Sequence, residues 1–203
     1  MTMQSLDFTP RGLVSAAIGT LRDPRAAATR VMAETLPASV LWTMLIVVVA
    51  VSVVLGQGSL ILVAGGTVTD NPYLANPMVM WGLQCALLFV MVHAIHRIGR
   101  AMGGAGVFED TLALVVWLQF VMACLQVVQT GALFILPPVA DLIGIVGLVI
   151  FLWLLTHFTA AAHGFTQLGP VFLMILISAF GITFLLSLVL AMLGIVVPGD
   201  FNV

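Results

Sequence analysis

Four histidines are the residues of this sequence best suited to bind a metal ion. His93 and His96 are three positions apart, so a helix would place both on one face. A zinc or haem site would need more groups converging on the same point, and Glu109 and Asp110 could add oxygens. We interpret the histidines instead as polar ends of apolar helices, because their spacing matches no standard ligand motif. The weak metal candidates are therefore His93, His96, His157 and His163.

Glutamines form a second polar set, inside otherwise apolar stretches. Gln119 and Gln126 are seven positions apart and Gln129 follows three later, so a helix would align them in one stripe. An amide in hydrocarbon needs a hydrogen-bond partner, so the stripe should face other helices. We favour interhelical hydrogen bonds over the alternative, a polar pathway for a small solute. The intramembrane polar residues are Gln84, Gln119, Gln126 and Gln129.

No arrangement typical of a catalytic site is present in the sequence. Ser178 and Ser187 have no histidine in the same apolar stretch. The glycine-rich segment 103–106 lacks the lysine and the Ser or Thr that a phosphate-binding loop needs. Cys85 and Cys124 lie in apolar runs and are read as small buried hydrophobes. We therefore predict no enzymatic activity, no catalytic residue and no bound cofactor.

The composition indicates whether the helices that carry these residues are surrounded by water or by lipid. Of the 203 residues, 62% are hydrophobic and 7% are charged, against roughly 25% charged in ordinary soluble domains. A membrane helix needs about 20 mostly apolar residues. The sequence therefore predicts an all-α integral membrane protein with five transmembrane helices. The spans cover about residues 38–55, 77–95, 111–136, 141–156 and 170–197.

Polar or proline-containing links separate the predicted spans. The second link runs from Arg97 to Asp110 and is rich in glycine. Pro137 and Pro138 mark a tight third turn, because proline inside a helix removes a backbone hydrogen bond. We place the fourth link over residues 157–169.

Arginine placement predicts how the helices are oriented. All positive side chains fall before the first span or after the second, and positive residues stay on the cytoplasmic side. With five spans, the N-terminus is then cytoplasmic and the C-terminus periplasmic, in a bacterial inner membrane. The chain has no lysine, and its arginines are Arg11, Arg22, Arg25, Arg30, Arg97 and Arg100.

Residues 1–37 form a separate cytoplasmic or interfacial arm in this interpretation, ahead of the membrane domain of residues 38–203. Apolar side chains from Leu13 to Leu21 recur at helical spacing, and Asp23 with Pro24 predicts a new helix start. We expect two amphipathic helices at the membrane surface rather than the alternative, a loosely ordered arm. The residues expected to contact lipid phosphates are Arg22, Arg25, Arg30, Arg97 and Arg100.

Three segments resemble the Ypt/Rab-interacting membrane protein (Yip) family, in its bacterial branch. DPRAAATR resembles the family's arginine-bearing entry segment, and GGAGVFEDTLALVVW its glycine-rich link into the third span. TAAAHGF resembles the link into the fifth span. The aspartate-leucine-tyrosine-glycine-proline motif of the eukaryotic branch, which is associated with small GTPases, is missing. The resemblance therefore implies a fold and a location, and it assigns no catalytic residue.

Three functional hypotheses follow from the sequence. The first is a non-enzymatic membrane protein that organises or accompanies partner proteins or lipids, because the links are short and no buried charge is predicted. The second is a small transporter or channel subunit that uses the glutamines, and the third is a metal- or haem-binding membrane protein. The expected partners are membrane lipids and other membrane proteins or further copies of this chain. No basic patch is large enough for nucleic acid.

Overall fold

The computed structural model describes residues 9–64 and 76–192. Within them α-helices are joined by short links, and five helices are long and apolar enough to cross a membrane, as predicted. Helical structure pairs the main-chain groups between its ends within the same segment, which hydrocarbon requires. The helices are α1 (Pro10–Arg22), α2 (Pro24–Ala33), α3 (Ala38–Ala64), α4 (Pro77–Ala101), α5 (Phe108–Ile135), α6 (Pro137–His163) and α7 (Leu168–Met192).

Polar side chains cap the beginnings of α1, α2 and α4. Asp23 caps α2, as predicted, because its carboxylate accepts a hydrogen bond from the Ala26 amide at 2.9 Å. Asn76 caps α4 in the same way through Met78. Proline occupies the first turn of α1, α2, α4 and α6, where its missing N–H has no intrahelical partner to lose.

Three of the predicted links are shorter in the structure than the sequence suggested. The fourth span does not begin at Asp141 but at Pro137, since proline is tolerated in a first turn. It continues through the segment assigned to the fourth link and ends at His163, where Gly164 adopts φ +74° and stops the helix. Likewise, α4 continues to Ala101, so Arg97 lies on the helix and not in a link.

Helix α5 lies at the centre of the bundle. In its most apolar stretch 56% of the residues are buried, compared with 17% in α4 and in α7. Helix α5 packs between α3 and α6, while α7 packs against α6. The predicted end of the fifth span, at residue 197, lies outside the described residues.

The two N-terminal helices pack against the bundle. Helix α2 contacts both α5 and α6, and α1 contacts α2 and α5. Thr20 and Ala28 on their inner side have 0% exposure. The side chains of Val14, Ile18 and Leu21 on α1 are exposed. The arm therefore has one side against protein and a second apolar stripe turned outward.

Candidate functional site

One end of the bundle brings together nearly all of the charged residues that the structure describes. We call it the arm-side end, and it comprises α1 and α2, the first turns of α3, α5 and α7, and the last turns of α4 and α6. Phe108, the first residue of α5, joins these elements. Its ring centroid lies 6.4 Å from that of Trp42, 5.2 Å from His93 and 5.6 Å from His96. The start of α5 is thereby fixed between α3 and α4.

His163, the last residue of α6, occupies a cradle made by three glycines. Its side chain is 3% exposed. A Cβ atom at Gly104 would lie 2.6 Å from the His163 Cβ, and one at Gly106 would lie 2.8 Å from Nδ1. A Cβ at Gly99 would overlap the imidazole edge that carries Nε2. Only glycine at these positions lets the ring lie against the backbone of α4 and of the α4–α5 link.

The same link is tied to α6 through the main chain. The Ala105 amide donates a hydrogen bond to the His163 carbonyl at 3.2 Å. Phe165, just past the end of α6, stacks on the His163 ring with a centroid distance of 5.8 Å. Glycine at position 103 adopts φ +88°, which turns the chain out of α4 toward this contact. The link is therefore held by its backbone and by the imidazole together.

The four histidines fall into two groups by their hydrogen bonds. Nδ1 of His93 lies 2.8 Å from the Phe89 carbonyl, and Nδ1 of His157 lies 2.8 Å from the Trp153 carbonyl. Among the described residues, neither nitrogen of His163 has a hydrogen-bond partner of good geometry, and buried Nδ1 of His96 has none either. The His96 and His163 rings lie 6.2 Å apart between centroids. These two imidazoles are neighbours, and the Ile95 backbone lies within hydrogen-bonding reach of the His163 ring.

The structure does not bring all four weak metal candidates together. Helix α4 presents His93 to Phe89, Trp42 and Phe108, and His157 lies edge-on to Trp153 within α6. Within residues 9–64 and 76–192, no group of three or more His, Cys, Asp or Glu side chains could hold a metal ion. Only the pair His96 and His163 converges.

A buried hydrogen bond fastens the arm to the bundle. Nε1 of Trp117 on α5 donates to Oγ1 of Thr20 on α1 at 2.9 Å. The Thr20 hydroxyl in turn donates to the Ala16 carbonyl at 2.8 Å. Both side chains are buried, so an indole N–H that lost this contact would have no water to accept its hydrogen bond. The arm is therefore fastened to α5 by a specific polar contact as well as by apolar packing.

Two of the stripe glutamines connect helices. Gln126 donates to the Ser52 carbonyl of α3 at 2.9 Å, and Gln129 donates to the Ala140 carbonyl of α6 at 3.2 Å. Each amide fits beside a glycine of the facing helix, Gly56 and Gly144 respectively. For these two amides no observation favours a solute pathway. Gln84 and Gln119 are half-buried on α4 and α5.

All six arginines are exposed, and all lie in the arm or in the last turns of α4. Four belong to the arm, and two follow His96 on α4. The arm-side end therefore carries every arginine of the chain, and Arg11 and Arg22 lie on α1, the helix with the outward apolar stripe. The exposed arginines are Arg11, Arg22, Arg25, Arg30, Arg97 and Arg100.

Sequence reasoning missed the glycine cradle and the arm contact. The sequence predicts a glycine-rich link over residues 103–106, but it does not indicate that Gly104, Gly106 and Gly99 enclose a histidine. A histidine at the end of an apolar stretch gives no sign that three distant glycines enclose it. Trp117 did give a signal, because an indole N–H inside an apolar run requires an acceptor. The identity of that acceptor, Thr20, depends on tertiary packing.

Comparison with known proteins returned one family. A family model described as the Yip1 domain matches residues 18–191, which include α2 to α6 and nearly all of α7. Neither a curated protein nor a solved structure matches the chain. The matched region contains the glycine cradle, both histidines of the close pair and the tryptophan that holds the arm.

Proposed function

This chain belongs to the Yip1 domain family, and from that premise we propose that it organises partner proteins or lipids at its arm-side end. A multi-pass membrane protein of a non-enzymatic family is the coarse description supported by the family match and the five apolar helices. The finer proposal is a scaffold or accessory subunit of the bacterial branch. It would present one structured face to the cytoplasm and have no catalytic step of its own.

The proposed location is the bacterial inner membrane, with a cytoplasmic N-terminus and a periplasmic C-terminus. Support comes from the arginines, which are confined to the arm-side end and favour the cytoplasmic side. Five spans would then carry the C-terminus across. The absence of lysine together with abundant Ala, Gly and Val is typical of a high-GC bacterial genome.

The hydrogen bond between Trp117 and Thr20 is the observation that carries the proposal. It lies between the arm and the central helix, and both side chains are buried. A loose tether needs no buried polar contact, since such a contact restrains the segment in one position. The arm is thereby part of the folded surface, and its exposed groups are presented at fixed places relative to α4 and α6.

Charge and apolar surface on the arm suit the headgroup region of an anionic membrane. Val14, Ile18 and Leu21 form an exposed stripe along α1. Arg22 and Arg25 follow at the junction between α1 and α2 and are exposed. Apolar residues that enter the interface beside arginines that contact phosphates are the usual features of an interfacial helix. Lipids are therefore the first proposed partner, and membrane proteins gathered at the same face are the second.

The test compares full-length protein in nanodiscs with and without phosphatidylglycerol. Each arginine near the membrane surface contributes about 1 kcal/mol to anionic lipid binding. The triple variant Arg22→Gln, Arg25→Gln, Arg30→Gln should therefore bind phosphatidylglycerol about 100-fold more weakly, as read by native mass spectrometry. Added salt should weaken wild-type binding in the same direction.

A control variant separates charge from the general effect of mutating the arm. Ser15→Ala with Thr29→Ala changes two exposed arm positions and keeps every arginine, so its lipid binding should equal wild type. Proteins that co-purify reproducibly with wild type and not with the triple variant would support the scaffold role. Equal phosphatidylglycerol binding by the triple variant, together with no reproducible partner of wild type, would refute the proposal.

A further inference from the structure

We propose that one acyl chain of a phosphatidylethanolamine molecule enters a cavity beneath the arm, between α1, α2, α3 and α5. This site deepens the proposed function, since it gives one lipid class a defined place, and it rests on that function for the position of the arm at the membrane surface. Three observations support it: the lining and shape of the cavity, its connection to the outer side of α3, and one acidic side chain.

The cavity beneath the arm has a volume of about 100 Å³ and mostly apolar walls. The arm contributes Leu13 from α1 and Val31 from α2. Helices α3 and α5 each contribute side chains at helical spacing, so each presents one continuous face. A cavity of this kind takes an apolar ligand, because water would find too few hydrogen-bond partners in it. The two faces are formed by Leu41, Met44 and Val48 on α3 and by Ala113, Trp117 and Phe120 on α5.

The cavity is long and narrow. Leu41 and Val48 are seven residues apart, which is about 10 Å along the axis of α3. Ala113 and Phe120 have the same separation on α5, and both helices begin at the arm-side end, so the two faces lie at a similar depth. A helix with its side chains is about 10 Å wide and is too bulky for this space. An extended acyl chain has the required shape.

A groove on the outer side of α3 connects the cavity to the lipid. Met44 and Val48 line both the groove and the cavity, so at most these two side chains separate the two spaces. The groove also includes Val40 and Val47, which are 42% and 55% exposed. Because α3 is apolar enough to cross a membrane, acyl chains would surround this side of it. Methionine is flexible, so the passage can widen to admit a chain.

Glu34 favours a headgroup that carries a positive charge. It is the charged residue in the described lining of the cavity, and it lies just past the end of α2, where the arm leads into α3. Its side chain is half-buried, which places it at the opening of the cavity. A carboxylate there attracts the ammonium group of ethanolamine and repels a headgroup with a net negative charge. The cavity therefore suits phosphatidylethanolamine better than phosphatidylglycerol.

The experiment uses full-length protein in nanodiscs that contain phosphatidylethanolamine with a photoreactive diazirine near the end of one acyl chain. After irradiation, peptide mass spectrometry identifies the labelled residues. We expect label on Val116 and Trp117, which line the cavity and are only 4% and 8% exposed. Lipids of the surrounding bilayer do not reach such buried side chains. The same chain on phosphatidylglycerol should label them about fivefold less, the effect of one charge near the membrane surface.

Two variants close the cavity from opposite walls. Val48→Trp places a large ring where the groove meets the cavity, and Ala113→Leu fills the space from α5. Each should lower the label on Val116 and Trp117 more than about tenfold, the loss expected when two buried methylenes are displaced. Val54→Trp is the matched control on α3, because Val54 is 69% exposed and lines neither space. Should one closing variant fail to fold, the other decides the test.

The triple arginine variant separates this site from the proposed function. Arg22, Arg25 and Arg30 do not line the cavity, so their replacement by Gln should preserve the label while phosphatidylglycerol binding falls. Unchanged phosphatidylglycerol binding with the label preserved would count against the proposed function alone. The cavity site is overturned if Val116 and Trp117 stay unlabelled in wild type, if the closing variants are labelled as strongly as Val54→Trp, or if phosphatidylglycerol labels the cavity as strongly as phosphatidylethanolamine.

Discussion

Glycine receives a polar side chain from another helix in two regions of this bundle, and the two differ in what the side chain does next. Away from the arm-side end, Gly56 lies beside the Gln126 amide and Gly144 beside the Gln129 amide. At the arm-side end three glycines enclose the single ring of His163. One glycine makes enough room for an amide that contacts a single helix. The imidazole needs more, because both α4 and the α4–α5 link pack against it.

The two amides make interhelical hydrogen bonds of good geometry, whereas the His163 imidazole is held mainly by packing. Gln126 and Gln129 donate to carbonyls at 2.9 and 3.2 Å. For His163 the described chain provides packing on every side and no hydrogen bond of good geometry. Satisfied polar contacts between membrane helices are structural. The His163 ring is instead positioned by close packing against glycine backbone, and this difference separates the two regions.

The largest expected effect is that of Gly99→Ala. Its new Cβ would overlap the His163 ring, which is enclosed and has nowhere to move. Alanine is favoured over glycine in a helix by about 1 kcal/mol, so any loss of stability comes from the clash. We expect a net destabilisation of about 2 to 3 kcal/mol, measured by reversible unfolding in mixed detergent micelles.

Two further variants test whether that loss of stability is specific to the contact between Gly99 and His163. Gly82→Ala lies on the same helix with nothing within 4 Å of the added Cβ, so it should be neutral or slightly stabilising. Combining Gly99→Ala with His163→Ala should cost less than the sum of the two single changes, because the second removes the ring that clashes. If Gly82→Ala destabilised as much as Gly99→Ala, the cradle would have no special role.

A smaller effect is expected from Trp117→Phe, which tests whether the arm belongs to the arm-side end. The change removes the indole donor to Thr20, while the Thr20 hydroxyl keeps its bond to Ala16. We expect the free energy of unfolding to fall by about 1 to 2 kcal/mol, and proteolysis at the exposed Arg22 and Arg25 to become faster.

A double-mutant cycle with Thr20→Val isolates the hydrogen bond from lost aromatic packing. Valine preserves the shape of threonine, so a coupling of at least 0.5 kcal/mol between the two positions is the expected result. Additive single effects would mean that the arm is held by apolar contacts alone. The arm-side end would then offer no polar anchor to its presented arginines.

The architecture was accessible from the sequence because hydropathy and caps act locally. Five apolar runs became five helices, and Asp23 caps α2 through a contact three residues away. The wrong boundaries have a local cause as well. The sequence predicts a turn at Pro137 and Pro138, whereas Pro137 begins α6 as a first-turn residue. Fold prediction succeeded where neighbouring residues carry the information.

The site was not accessible, because its parts are distant in the chain. Gly99 and His163 are 64 positions apart, and Thr20 and Trp117 are 97 apart. Nothing in the local pattern around Gly99 distinguishes it from Gly82 on the same helix, yet one meets a ring and the other meets nothing. Pair contacts of this kind are properties of packing, and a single sequence gives no coupling from which to infer them.

The smallest loss of stability is expected for Gln126→Leu, which removes one of the two interhelical amides. The Ser52 carbonyl that accepts from Gln126 belongs to helix α3, so it retains a main-chain donor when the amide is removed. Leucine is similar in size to glutamine and introduces no buried polar group. Interhelical hydrogen bonds in membranes contribute about 0.6 kcal/mol on average, and we expect a loss of that order.

Gln119→Leu serves as the control for Gln126→Leu on the same helix. Gln119 is half-buried, and the described residues show no hydrogen bond from its side chain, so its replacement should leave stability unchanged. Both are measured by the unfolding assay used for Gly99→Ala. A loss for Gln126→Leu as large as that for Gly99→Ala would break the comparison, because an amide beside one glycine would then matter as much as a ring enclosed by three. A loss larger than that of Gln119→Leu and smaller than that of Gly99→Ala would support the comparison. The two kinds of glycine contact would then differ in energy as they do in geometry.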